Sequence, residues 1–334
     1  MSNYHKERDM KNQEEIREYL SSLPSFVSDY FLSIQTRTTT LTRLGYAKDI
    51  HTFFEYLSES LGSEITLEQL DGLERVDFDA FIDYLTYYEK DGISYTNSPA
   101  SLRRKLSSLR GLWSYLYEEN KLSENVLTKV RNPKLRKKEI IRLDKKEQTE
   151  FLGKVNHGIL NSRLGKAQHD NRKERDLAII TLLLSTGMRV SELVGIDLKD
   201  LSMEKCSVRI IRKGNKEDLV FFSDECKKYL QDYLFVRKGI KTDTNALFLS
   251  NRKQRISVRM AETLVKEYGS AVTLKHITPH KLRSTYGSAL YDETGDIYLV
   301  AKVLGHNSVD TTSKYYIHSD EKQKEANRNT VKLS

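Results

Sequence analysis

A chain of 334 residues, 38% apolar and 31% charged, has the composition of a globular protein long enough for two hydrophobic cores rather than one. A net charge of +8 and a pI of about 9.1 favour a polyanionic partner, though charge speaks to partners rather than to fold. Two cysteines, Cys206 and Cys226, exclude a disulfide framework, and the longest apolar run, Leu177 to Leu184, is too short to span a bilayer.

In chain order, Met1-Ser-Asn-Tyr-His-Lys-Glu-Arg-Asp9 is too charged for a secretory signal, so a cytoplasmic, reducing compartment and no membrane are expected. Residues 1–20 read as a charged leader of helix-forming composition. From 21 to 131 the spacing predicts a helical bundle. Leu44, Ile50, Phe53, Phe54 and Leu57 share one helical stripe, and Phe78, Phe81, Ile82 and Leu85 another, in a helix expected to run from Val76 to Tyr88. Ser98-Pro99 opens a further helix through Leu106, Leu109, Leu112, Trp113 and Leu116, because proline is favoured in a first turn. Residues 132–142, with Pro133 and a basic run, form the expected linker.

A second domain, 143–334, begins with a helix from Lys145 to Val155, followed by a polar loop insertion from Asn156 to Asn171. Arg175 to Ser185 reads as a buried helix ending at Gly187, and Ser191 as the cap of the next one. Val208-Arg-Ile-Ile-Arg212 and Asp218-Leu-Val-Phe-Phe222 are two short strands around a turn, with Ala246 to Ser250 as a possible third. Helices then start near Pro279, Asp296 and Val309. The expected fold is mainly α: an N-terminal helical bundle, then a mostly helical domain carrying a small antiparallel β-sheet.

Six polar positions in the second domain suit one chemistry. Arg189 follows Gly187 at a helix junction, and a helix N-terminus is itself an anion site. Lys213 stands at the tip of the strand pair, where a lysine among other cations can serve as a proton donor, with Lys216 as its competitor. His280 and Arg283 lie i, i+3 on one helix face, and the arginine fork fits two phosphate oxygens. His306 follows Leu304-Gly305, with Tyr315 and Tyr316 a few residues on. A tyrosine hydroxyl, with a free pKa of about 10, attacks only if it loses its proton and its target phosphate is neutralised. Two arginines, two histidines and a lysine meet that need without a cofactor, and no His/Cys or Asp/Glu spacing suggests a metal site.

The segments Thr186-Gly-Met-Arg-Val-Ser-Glu-Leu193, Arg212-Lys-Gly-Asn-Lys216, Thr278-Pro-His-Lys-Leu-Arg283 and Leu304-Gly-His306 with Tyr315 resemble the signature boxes of tyrosine site-specific recombinases. The resemblance covers nearly the whole chain. Within the superfamily it is closest to the Xer branch, particularly the single-recombinase Xer proteins of Gram-positive bacteria, through Lys173-Glu-Arg-Asp-Leu-Ala-Ile-Ile180 and the insertion before it. The resemblance implies that Arg189, His280, Arg283 and His306 bind the scissile phosphate and that Lys213 protonates the leaving 5′ oxygen. It makes Glu192 a supporting acid and Tyr315 the nucleophile, with Tyr316 as the alternative created by the doublet. Ser284 departs from Xer proteins that carry a second histidine there.

The same resemblance implies a SAM-like, core-binding N-terminal domain and a catalytic domain with a C-terminal tail that clamp double-stranded DNA. Arg103, Arg104, Lys105 and Arg110 are candidate DNA contacts. Implied partners are inverted-repeat recombination sites, a homotetramer on two such sites exchanging strands through a Holliday junction, and a DNA translocase. Chromosome-dimer resolution is the expected role. Mobile-element integration or excision and promoter inversion follow it, and a type IB topoisomerase or a non-catalytic DNA-binding regulator are the rivals from other classes.

Overall fold

In a computed structural model, residues 3–62, 64–90, 92–135, 141–159, 172–212 and 214–306 are described. The chain divides into two compact units, Met1–Lys138 and Glu139–Ser334, a division that falls inside the basic stretch 132–142.

The first unit is built from helices α1 (Asn3–Ser21), α2 (Ser25–Ser33), α3 (Thr40–Leu61), α4 (Leu67–Asp71), α5 (Arg75–Thr86) and α6 (Pro99–Glu118). The charged leader is thus a helix of the unit rather than an appendage. Ile16 is buried in the core, and the Thr40 hydroxyl donates to Asp9 at 2.8 Å, fastening α1 to α3. Aromatic rings fill the centre. Phe53 lies 4.9 Å from Phe81 and 5.6 Å from Trp113, centroid to centroid, in edge-on arrangements, and all three are fully buried. Ser98 caps α6 through the Ser101 amide with Pro99 in the first turn, as its sequence requires.

The helix expected from Val76 to Tyr88 stops at Thr86. Strands β1 (Tyr87–Lys90) and β2 (Ile93–Thr96) pair antiparallel from there, with Tyr88 stacked on Tyr95 at 5.2 Å. β-Propensity of the tyrosines and the Gly92 turn, at φ 70, win over continuation of the helical stripe.

The second unit contains α7 (Lys145–His157), α8 (Lys173–Thr186), α9 (Val190–Val194), a three-stranded antiparallel sheet of β3 (Leu201–Ser202), β4 (Ser207–Arg212) and β5 (Lys216–Phe221), then α10 (Asp224–Lys238), α11 (Val258–Ser270), α12 (Pro279–Thr294) and α13 (Ile297–Leu304). Helix α8 is apolar on nearly every side because α7, α10, α11 and α12 all pack on it. Its end is a glycine by necessity. Gly187 has φ 61, and a Cβ there would press on Tyr286 and come within 2.8 Å of Leu304 Cδ2.

Two sequence expectations fail here. Ser191 does not cap α9; Arg189 occupies that position, and its own amide donates to Glu192 Oε2 at 2.7 Å. Ala246 to Ser250 is not a strand. Its backbone makes only isolated bridges, Asp197 with Ala246 and Leu249 with Arg255, and side chains of α10 take part of the rest: Arg237 donates to Ala246 O, and Tyr233 Oη bonds both Leu247 O and the Leu249 amide. The third strand is the two-residue β3. No helix among the described residues is long and apolar enough to cross a membrane.

Candidate active site

Three loops and helix ends meet beside the C-terminus of α13. Arg189, just after the αL turn at Gly187, is held by Glu192. The guanidinium Nη1 donates to Glu192 Oε1 at 2.8 Å, and the glutamate side chain is only 3% exposed. A buried carboxylate so placed fixes the direction of the fork. Arg189 Nη2 then donates to the Gly305 carbonyl at 3.1 Å.

Arg283 reaches the same place from the first turns of α12. It is buried, with Nη1 donating to Gly187 O at 2.7 Å and Nη2 donating to Leu304 O. The backbone amide of His306 donates to Ala301 O at 3.0 Å, closing the end of α13 and delivering the imidazole to the two arginines. His280, second residue of α12, lies on the face that also carries Arg283. Ser284, beside Arg283, turns inward and donates to the His280 carbonyl at 3.0 Å.

The electrostatics record the crowding. Burial, then Arg283, Arg189, His280 and Arg212, push the His306 pKa down from 6.5 to about 4. His280 keeps more contact with solvent, yet partial desolvation followed by Lys281, Arg283 and Arg189 lowers its pKa too. Such a cluster is short of negative charge. A phosphate oxygen entering it meets two arginine forks and two imidazoles that can donate hydrogen bonds.

Arg189, Glu192, His280, Arg283 and His306 are therefore brought together. Lys213, Tyr315 and Tyr316 lie outside the described residues, as does the tail that follows them. One residue of the cluster carried no role in the sequence reading. Arg212, last residue of β4, donates to the Val303 carbonyl at 2.8 Å and the Leu304 carbonyl at 2.7 Å. Its position inside the Arg212-Lys-Gly-Asn-Lys216 box was the only available signal.

The candidate DNA contacts of the first unit are more committed than their charge suggests. Asp49, 1% exposed, accepts from Arg104 Nη2 at 2.7 Å, Lys105 Nζ at 3.3 Å and Ser108 Oγ at 2.7 Å. Arg110 is turned onto Val130 O and Asn132 Oδ1, both at 2.8 Å. Arg104 nevertheless keeps a side chain 52% exposed, and Arg103 is partly exposed on the same helix.

A helical unit, and a second one that gathers two arginines and two histidines around a helix end, fit the DNA recombinases that the signature boxes resemble. Family models agree. Residues 27–120 match the phage integrase N-terminal SAM-like domain, and residues 159–323 match the phage integrase family. The chain belongs to the phage integrase family and is a tyrosine recombinase of the Xer type. It is 36% identical to the tyrosine recombinase XerS of Streptococcus uberis in an alignment of 352 positions that covers 94% of this chain and 97% of that one. It is 34% identical to XerS of Streptococcus thermophilus in an alignment of 353 positions, with coverages again of 94% and 97%.

Among solved structures it shares the fold of the XerH site-specific recombinase bound to a palindromic difH substrate after cleavage. The TM-score there is 0.68, with 21% identity over 94% of this chain and 88% of that one. The λ integrase dimer bound to a core site gives a TM-score of 0.62 at 16% identity, covering 87% and 94%.

Proposed function

We propose that the protein recombines double-stranded DNA at specific inverted-repeat sites, through a 3′-phosphotyrosyl intermediate. The observation that carries this reading is the convergence of Arg189, Arg283, His280 and His306 at the end of α13. The non-bridging oxygens of one phosphate lie against the two guanidinium groups and the imidazoles. The hydroxyl of Tyr315, with Tyr316 as the alternative, attacks phosphorus as it passes its proton to one of the two neutral imidazoles of the cluster. The bond to the 5′ oxygen breaks, and Lys213 gives that oxygen a proton. The charge that develops on the phosphate is met by fixed cations of the protein, which need not reorganise during the reaction. The released 5′ hydroxyl later attacks the phosphotyrosine of a partner strand and reseals the backbone.

In this reading the residues up to 131 form the core-binding domain, 132–142 the linker across the DNA, and 143–334 the catalytic domain with its tail. Four copies act on two sites through a Holliday junction in the cytoplasm. The similarity to XerS over most of the chain supports chromosome-dimer resolution, aided by a DNA translocase, over mobile-element integration.

The test is covalent capture on a nicked suicide substrate. Wild type and Tyr316→Phe should form a protein–DNA adduct, and Tyr315→Phe should not. The reverse pattern moves the nucleophile to Tyr316, and no adduct from any of the three proteins leaves a non-catalytic DNA-binding regulator.

A further inference from the structure

We propose that Arg212 is a positioning residue, tying the β4–β5 hairpin to the end of α13 so that Lys213, its neighbour in the chain, meets the leaving oxygen of the same phosphate that His306 holds. The proposal rests on the recombinase reading, in which Lys213 is the proton donor.

The geometry has four parts. First, Arg212 uses its whole fork. Nε donates to Asp218 across the hairpin, Nη1 donates to Leu304 O at 2.7 Å and Nη2 donates to Val303 O at 2.8 Å. Second, the side chain is only 11% exposed, so this is an inward strut rather than a surface charge. Third, the carbonyls it takes are the last ones of α13, which a helix leaves unsatisfied and which attract cations. The next residues are Gly305 and His306, so the strut ends two residues from the catalytic imidazole. Fourth, the contact is close enough to dictate sequence. Gly305 has φ 62, and a Cβ on it would collide with Arg212 Nη1 and Cζ and approach Cδ to 2.9 Å. A side chain at 305 and an arginine seated at 212 are therefore incompatible without movement.

The register of the sheet shows why the strut acts on the hairpin tip. Arg212 pairs with Lys216 and Ile210 with Asp218, so the arginine and its carboxylate partner stand at the last rungs before the turn. Hairpin tips are the least constrained part of a ladder, since only one side is hydrogen-bonded. Fixing Arg212 against α13 removes that freedom on the strand that leads into Lys213. A proton donor contributes only when it is held within hydrogen-bond reach of the atom it protonates. Arg212 fixes the residue that precedes Lys213 through a bond to an element 92 residues away in sequence.

A leaving-group substitution separates this role from a general effect on folding. A 5′-bridging phosphorothiolate expels a thiolate, which needs no proton donor, while the other steps are unchanged. The substrates are a duplex selected from a random library by covalent capture with the wild-type protein, and the same duplex with sulfur replacing the bridging 5′ oxygen.

On the oxygen substrate, Arg212→Ala should form adduct about a hundredfold more slowly than wild type. On the sulfur substrate it should recover to within about threefold. Asp218→Ala leaves the arginine in place but removes its Nε acceptor, and should show the same pattern at smaller size. Both variants should bind the duplex as wild type does. An equal loss on both substrates, or no loss on the oxygen substrate, overturns the positioning role while leaving the recombinase reading intact. Failure of the wild-type protein to be captured by any duplex overturns both.

Discussion

His306 sits where three guanidinium groups and a second imidazole converge, and its low pKa of about 4 follows first from burial and then from their charge. The consequence for stability has a definite sign. Above pH 6.5 the ring is neutral in both folded and unfolded chains and contributes no pH dependence. Below 6.5 the unfolded chain takes up a proton that the folded site refuses, so stability falls between pH 6.5 and about 4. We expect the His306 ring resonance of the DNA-free protein to titrate well below that of an exposed histidine, and His306→Gln to flatten the stability profile across that window. A His306 midpoint near 6.5 would show that the ring is more solvated, and the cations farther away, than the structure places them. Inorganic phosphate should raise the midpoint, because an anion in the cluster compensates the positive field. The residues of this site differ in how far they could be read from sequence. Arg189, His280, Arg283 and His306 stand at helix starts and turns, where exposed polar chemistry is expected. Arg212 looks like an ordinary strand residue, and its role depends on α13, which no local pattern connects to it.

At the scale of elements, most helices announce themselves by apolar period and cap. Asp144 and Thr66 each complete a capping box, and the stripes of α3, α5 and α6 are the ones that bury. The failures have physical causes. Ala246 to Ser250 carries strand-like residues, but it forms only isolated bridges, and Tyr233 and Arg237 of α10 take backbone groups that a continuous ladder would have used. Tyr87 to Thr96 was hidden because tyrosines fit a helical stripe and a pleated surface equally well. The leader is polar enough to look solvated, yet a single apolar face with Ile16 suffices to dock it. The α3–α6 contact is also decided by something periodicity does not show, the buried Asp49. Replacing it with alanine removes the carboxylate shared by Arg104, Lys105 and Ser108, leaves Ser108 only the Arg104 carbonyl at 3.3 Å, and should cost about 2–4 kcal/mol in urea denaturation. Arg104→Ala, at a side chain 52% exposed, should cost about 1 kcal/mol or less. Equal losses from the two substitutions would mean that Asp49 is more solvated than its burial indicates.

For the molecule as a whole, affinity and chemistry should come from different charges. The net charge of +8 falls on the second unit, which carries +9 against −1 for the first, and each phosphate it neutralises releases counterions. With roughly six phosphates contacted, affinity for DNA should fall about a thousandfold between about 50 and 200 mM salt. The cluster at the end of α13 engages one phosphate, so it contributes little to that slope. Arg189→Lys isolates the difference. The lysine keeps the charge and can still pair with the buried Glu192, but it loses the planar fork that donates to Glu192 and Gly305 O at once. Fluorescence anisotropy across a salt series should give the wild-type slope and nearly the wild-type affinity, while covalent capture on a suicide duplex slows about a hundredfold. A changed slope, or capture at the wild-type rate, would contradict this division. In the first case Arg189 would act as one of the general DNA-binding cations. In the second its fork would be dispensable, and the bonds that aim it at Gly305 would serve packing alone.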